Sequence, residues 1–148
     1  MDSAAVAEGD AVDRMSAERL GAPVIVDVCI DVNDLDRMTV FWESIMGYER
    51  SFEAPGHSYL IDPSGRGPHV YLQQVPEVRQ GKNNLHLDIV VPALDDAVRR
   101  AETLGATRVW ADRSIYTSFV VLSDPEGNLF CLVDLPTWQE TRPPWWQH

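Results

Sequence analysis

From residue 24 the chain alternates. In "VIVDVCIDV" the even positions Val24, Val26, Val28, Ile30 and Val32 are apolar, while Asp27, Cys29 and Asp31 fall between them. A period of two in a β-branched run predicts a strand over 24–32. The period then changes. In "NDLDRMTVFWESIMGYE", Leu35, Met38, Trp42 and Ile45 recur at helical spacing, Asp34 is placed to cap the start and Gly47 to end the helix. Three short strands follow, over 48–52, 57–61 and 68–75. The pattern restarts with a strand at "NLHLDIVV", 84–91, where Leu85, Leu87 and Ile89 should pack under a helix. The helix of 93–105 puts Leu94, Ala97, Val98, Ala101 and Leu104 on one face, and Gly105 stops it. Strands are predicted over 107–112, 116–124 and 127–135. Both halves read β-α-β-β-β.

The repeat has a register. Setting Asp27 on His86 gives an offset of 59, which also sets Leu35 on Leu94 and Asp36 on Asp95. An Asp-Pro-x-Gly turn occurs twice, at 62–65 and 124–127, each time before the last strand of its half. Proline fixes φ at the corner and glycine supplies the positive φ that closes such a turn. One helix covers one face of a four-stranded sheet and leaves the other open. Two such modules, over 23–76 and 83–136, therefore predict an α+β fold with a cup-shaped mixed sheet, helices on its outer face and alternate strand residues lining the cup. Residues 1–22 read as a flexible arm with a short helix around 12–20. Residues 137–148 read as a tail carrying Trp138, Trp145 and Trp146 that enters a dimer interface, packs on the protein itself or caps the cup.

Charge narrows the partners. With a net charge of −11, the chain of 148 residues has no electrostatic route to nucleic acid and is repelled by anionic membranes. The N-terminus lacks the basic and apolar regions of a secretory signal, and no apolar run is long enough for a membrane helix. Two cysteines, far apart, give no disulfide framework and no structural zinc site. A cytoplasmic protein with reduced thiols is expected.

The segments "VNDLDRMTVFWESIMGYE", "LHLDIVVPALDDAV" and "SDPEGNLFCLVD" resemble the vicinal oxygen chelate superfamily, the glyoxalase/bleomycin resistance protein/dioxygenase fold, and its glyoxalase-like subgroup in particular. The resemblance covers roughly residues 24–136 and implies paired βαβββ modules and often a homodimer. In metal-using members four ligands come from the first and last strands of the two modules. Carried over by position, these fall on Asp27, Tyr71 (with Gln73 on the same strand face as the alternative), His86 and Cys131. Only His86 matches the usual ligand. The remainder is a poor set for Ni²⁺, Fe²⁺ or Mn²⁺, which prefer imidazole and carboxylate. No cofactor is expected. A divalent metal, if one binds, would use His86, Asp27 and Cys131.

Strand parity puts His86 and Asp88 on one face, so His86 is the candidate general acid or base, with Asp88 or Asp27 as its carboxylate partner. Tyr71, Gln73, Cys131, Cys29 and Phe119 are candidate ligand contacts. His57, His69 and His148 receive no role. Two functions compete. One is a metal-independent lyase or isomerase that moves a proton on a small oxygenated or aromatic molecule, with Tyr71 donating to the developing oxyanion. The other is a non-catalytic protein that sequesters a small molecule, as bleomycin-type resistance proteins do. Glyoxalase I and ring-cleaving dioxygenase activities are not expected from this ligand set.

Overall fold

A computed structural model of the protein describes residues 23, 25–113 and 118–136. The predicted helix near 12–20 and the Trp-rich tail lie outside those residues. Strand β1 (Asp27–Val32) leads into helix α1 (Leu35–Met46), then β2 (Glu49–Ala54), β3 (His57–Ile61) and β4 (His69–Gln74). The second module repeats this as β5 (Asp88–Val91), α2 (Leu94–Thr103), β6 (Thr107–Arg113), β7 (Ser118–Ser123) and β8 (Leu129–Asp134).

The local signals act as the sequence predicts. Asp34 is extended and its carboxylate accepts the Arg37 N–H, so one orphan donor of α1 is satisfied. Gly47 ends α1 in the left-handed region at φ 65°, where a side chain would be strained. In the two Asp-Pro-x-Gly turns, the N–H of Gly65 donates to the Asp62 carbonyl and that of Gly127 to the Asp124 carbonyl. The aspartate side chains then brace the turns. Asp62 accepts from the Ser64 hydroxyl and from the backbone of Ser64, Arg66 and Gly67, and these bonds, the Ser64 hydroxyl first, hold its carboxyl well below the usual range. Asp124 accepts from the backbone of Glu126 and Asn128. It is only 3% exposed, and loss of hydration wins there, so its carboxyl is raised instead.

Each module forms its own four-stranded mixed sheet, ordered β1-β4-β3-β2 and β5-β8-β7-β6. In both, the first strand pairs in parallel with the last, and the other pairs are antiparallel. The duplication extends to a defect. The register slips between Arg50 and Phe52 in β2, and between Arg108 and Trp110 in β6.

The core lies on the helix side of both sheets and is continuous between the modules. Met38, Phe41 and Trp42 of α1 meet Phe130 and Leu132 of β8, with Leu94, Val98 and Ala101 of α2 in the same cluster. Trp42 and Phe130 pack edge to face with centroids 5.2 Å apart. The strand predicted from residue 84 is shorter than expected. Leu87 and Ile89 pack against the core, but Leu85 is 88% exposed, because the ladder with β8 begins only at Asp88. None of the described helices is long and apolar enough to cross a membrane.

Candidate functional site

The open face of each sheet is written by parity. In β8, Phe130 and Leu132 turn to the core, so Leu129, Cys131 and Val133 turn away from it. Register continues that face across the sheet, pairing Cys131 with Asp88 on one side and with Val121 on the other, and Val121 with Trp110. His86 stands two residues before Asp88 and shares its side. The result is a compact polar corner. His86 Nε2 lies 3.2 Å from Asp88 Oδ1. One ligand atom from each of His86, Asp88 and Cys131 falls within 4.8 Å of the others.

The corner is asymmetric in exposure. His86 and Asp88 are open to solvent, whereas Cys131 is 7% exposed. Burial, then the charge of Asp88 and the hydrogen bond to it, push the Cys131 thiol up to about 12. The thiol is therefore a donor to the carboxylate and not a thiolate nucleophile. Phe119 also lies on this face and packs edge to face with Trp110, centroids 5.2 Å apart.

The first module presents a different surface. Cys29 pairs with Tyr71, and Tyr71 with Tyr59. The rings of Tyr59 and Tyr71 stack with centroids 4.5 Å apart and planes 19° from parallel. The His57 ring lies nearly parallel to that of Tyr71 with centroids 5.5 Å apart, and Phe52 leans on Tyr59 at 6.0 Å. Gln73 sits beside this ladder, its Oε1 3.4 Å from the Tyr71 hydroxyl. Asp27, Cys29 and Asp31 form its exposed flank on β1. Burial first, then the charges of Asp31 and Asp27, raise the Cys29 thiol.

The structure thus gathers three predicted residues and separates a fourth. His86, Asp88 and Cys131 come together, but Asp27 is not in that group. It stands on β1 of the other sheet, where its carboxylate lies 3.6 Å from His69 Nδ1. The described side chains close enough together to hold an ion are His86, Asp88 and Cys131, and Asp27, expected beside His86 and Cys131, lies outside that group. His86 lies two residues before β5 begins at Asp88 and so stays near it, whereas β1 and β5 belong to separate sheets. His57, Tyr59 and His69, given no role from the sequence, stand against Tyr71 and Asp27. The period-two signal that placed Tyr71 would have put His57 and Tyr59 on one face of β3, but only the register of β3 on β4 brings them to Tyr71. A hollow of about 570 Å³ opens in the seam between the modules, with Trp42, Ile30, Leu87 and Leu129 among its walls and Cys29 and His86 at its edge.

Two βαβββ modules with a polar corner and an aromatic wall on their open faces define a vicinal oxygen chelate fold. The profile of the glyoxalase-like domain family matches residues 27–133, and the protein belongs to that family. No curated protein matches its sequence significantly. Among solved structures, it is similar to a glyoxalase/bleomycin resistance protein/dioxygenase family enzyme from Burkholderia phytofirmans PsJN, with a TM-score of 0.64, 20% identity, and coverage of 75% of this chain and 98% of that one. It is likewise similar to the genomically encoded fosfomycin resistance protein FosX from Listeria monocytogenes, with a TM-score of 0.66, 16% identity, and coverage of 82% and 99%. A mutant of that FosX, solved with Mn(II) and 1S,2S-dihydroxypropylphosphonic acid, gives a TM-score of 0.63 at 15% identity over 76% of this chain and 89% of that one. At these identities the likeness is one of fold.

Proposed function

We propose that the protein binds a small oxygenated or aromatic molecule against its open sheet faces, and that His86, partnered by Asp88, moves a proton on that molecule without a metal. This is the chemistry of a lyase or isomerase. The observation that carries it is the 3.2 Å contact between His86 Nε2 and Asp88 Oδ1 in a solvent-open corner. A carboxylate beside an imidazole orients the ring and stabilises the imidazolium that forms when the base takes a proton. Cys131 serves as a protonated neighbour that fixes Asp88.

The metal alternative depends on the donors. Manganese, as in the FosX complex, favours oxygen and imidazole ligands, and one imidazole, one carboxylate and one thiol do not suit it. Zinc fits the N/O/S set with a fourth position open, provided the Cys131 proton is displaced. His86, Asp88 and Cys131 would hold it, and it would polarise a ligand oxygen as a Lewis acid.

A second copy of the chain completes the site in this reading. Phe52 on one open face and Trp110 on the other are 58% and 57% exposed, and Ile25, Val78 and Leu85 are exposed apolar side chains outside the core. Pairing two chains would cover them and enclose the ligand between faces. A cytoplasmic location suits two unpaired cysteines, one of them exposed.

The aromatic ladder supports a second reading, sequestration. Three near-parallel rings, with Phe52 tilted against them, beside Asp27 and Asp31 suit an aromatic cation held without turnover. One experiment separates the two. Protein purified without chelator is assayed for bound metal and screened against small α-hydroxy carbonyl compounds for solvent proton exchange, alongside His86→Ala. Exchange that needs His86 and no metal is the expected result. Exchange unchanged in His86→Ala, or stoichiometric metal whose removal abolishes it, overturns the proposal. Tight binding with no exchange favours sequestration.

A further inference from the structure

Tyr71 Oη lies 2.5 Å from His57 Nδ1, a short contact for a phenol and an imidazole. The phenol ring stacks on Tyr59 with centroids 4.5 Å apart, and the His57 ring lies nearly parallel to it at 5.5 Å with Nδ1 at its hydroxyl, so neighbours on β3 orient both the ring and its hydroxyl. Gln73 Oε1, an acceptor, stands 3.4 Å from the same hydroxyl. The phenol has one proton. If it goes to His57, Nδ1 is unprotonated. If it goes to Gln73 or to a ligand, Nδ1–H of His57 can donate to Tyr71 Oη in its place. The pair therefore has two hydrogen-bonded states that differ by one proton shift.

His57 also reaches a second environment. It opens β3 behind Gly56 and lines a hollow of about 360 Å³ shared with Asp34, Asp36, Glu53, Ser58 and Gln74. With Nδ1 engaged by Tyr71, Nε2 is the nitrogen left to exchange protons with water. On the other side, Tyr71 faces Cys29 and Asp31 of β1 and Tyr59 of β3. Loss of hydration, then the influence of Tyr59, Cys29 and Asp31, raises the Tyr71 phenol, which keeps it a proton donor and not a phenolate.

We propose that Tyr71 and His57 form a proton relay between the acidic hollow at the start of α1 and the open face of the first sheet, presenting a hydrogen bond, and when required a proton, to an oxygen of the bound molecule. The ligand class is one with an accepting oxygen, such as a carbonyl, enolate or phenolate. The step balances. The ligand oxygen takes the Tyr71 proton, Tyr71 Oη takes the proton on His57 Nδ1, and His57 regains one at Nε2 from water. Tyr71 is the contacting group and His57 the positioning residue. The relay rests on the reading that ligands bind the open faces.

The probe is 4-nitrophenolate, a rigid oxygen acceptor, added to the full-length protein under conditions where the probe is anionic. Ring nitrogen shifts of His57 are followed by ¹H–¹⁵N correlation, with Tyr59 and Tyr71 ring signals reporting occupancy of the face. Binding should shift the Tyr signals and convert His57 Nδ1 from an unprotonated to a protonated nitrogen. Tyr71→Phe and His57→Phe, which keep the ring stack, should each weaken the probe by about tenfold or more. Tyr signals that move while Nδ1 stays unprotonated overturn the relay and leave the face as a ligand surface, as does a loss below about twofold in His57→Phe. If no open-face signal moves, the relay and the open-face reading fall together. The nitrogen shifts are read on unmodified protein, so a variant that misfolds does not leave the question open.

Discussion

The carboxylate of Glu126 accepts the backbone N–H of Asn33 at 2.8 and 3.0 Å, joining residues 93 positions apart and locking the second module onto the first. The same carboxylate accepts the Asp34 N–H at 2.7 Å. It therefore sits at the N-terminus of α1, where backbone donors lack partners and the helix dipole favours negative charge. The residue between proline and glycine in the second Asp-Pro-x-Gly turn is thus the bolt between the two halves.

Removing that bolt should loosen the fold. Glu126→Ala is expected to cost about 1–3 kcal/mol, since it strips an ionised acceptor from two backbone donors. Glu126→Gln keeps an acceptor and should cost less. Urea unfolding checks both. An alanine variant within about 0.5 kcal/mol of the parent would show that water replaces the carboxylate without loss.

The core shared by the modules predicts a larger effect. Phe130 is 1% exposed and packs edge to face on Phe41 and Trp42. Phe130→Ala should destabilise by about 3–5 kcal/mol through lost burial and the cavity left behind. Val40, 46% exposed on α1, is the control, with Val40→Ala expected within about 0.5 kcal/mol. A single unfolding transition for the parent is part of the expectation. Two separated transitions would contradict a common core.

Thiol chemistry tests the polar corner. The folded Cys131 thiol is raised to about 12 by burial and by Asp88, above the roughly 8.5 of an unfolded cysteine. The folded state therefore holds this proton more tightly. The stability this contributes is complete below about pH 8.5 and is lost as pH rises towards 12. At pH near 8, iodoacetamide should spare Cys131 in the folded protein and label it once the chain is unfolded. Asp88→Asn removes the charge that helps hold the proton, so labelling should quicken. Equal labelling of Cys131 in folded and unfolded protein would contradict both the burial and the hydrogen bond.

Trp110 tests the second copy. Light scattering on the purified protein should give twice the chain mass. Trp110→Asp, placing a charge on an exposed strand face beside Phe119, should shift the population to monomer with little change in far-UV circular dichroism. A monomeric parent would remove the paired-chain site, though not the His86–Asp88 contact.

The local features were legible because short-range stereochemistry fixes them. Asp34 caps α1 and Gly47 ends it because a free N–H and a left-handed turn are requirements of any helix end. The face of β5 that carries Asp88 follows from a two-residue period, and His86, two residues before it, is kept near it by short chain separation. Leu85 was misplaced for the converse reason. An apolar residue before a strand looks like strand, and only the start of the β5–β8 ladder at Asp88 marks where pairing begins.

By itself, then, the sequence determined the repeated βαβββ order, the caps, the two turns and the side of each strand that stays open. Each depends on residues within a few positions of one another. Tertiary structure alone decided that Tyr71 meets His57, that Asp27 turns to His69 and not to His86, and that Glu126 reaches Asn33. Those contacts depend on cross-strand register and on how one sheet is set against the other. Both are fixed by burial of a common core, to which the residues in contact contribute almost nothing.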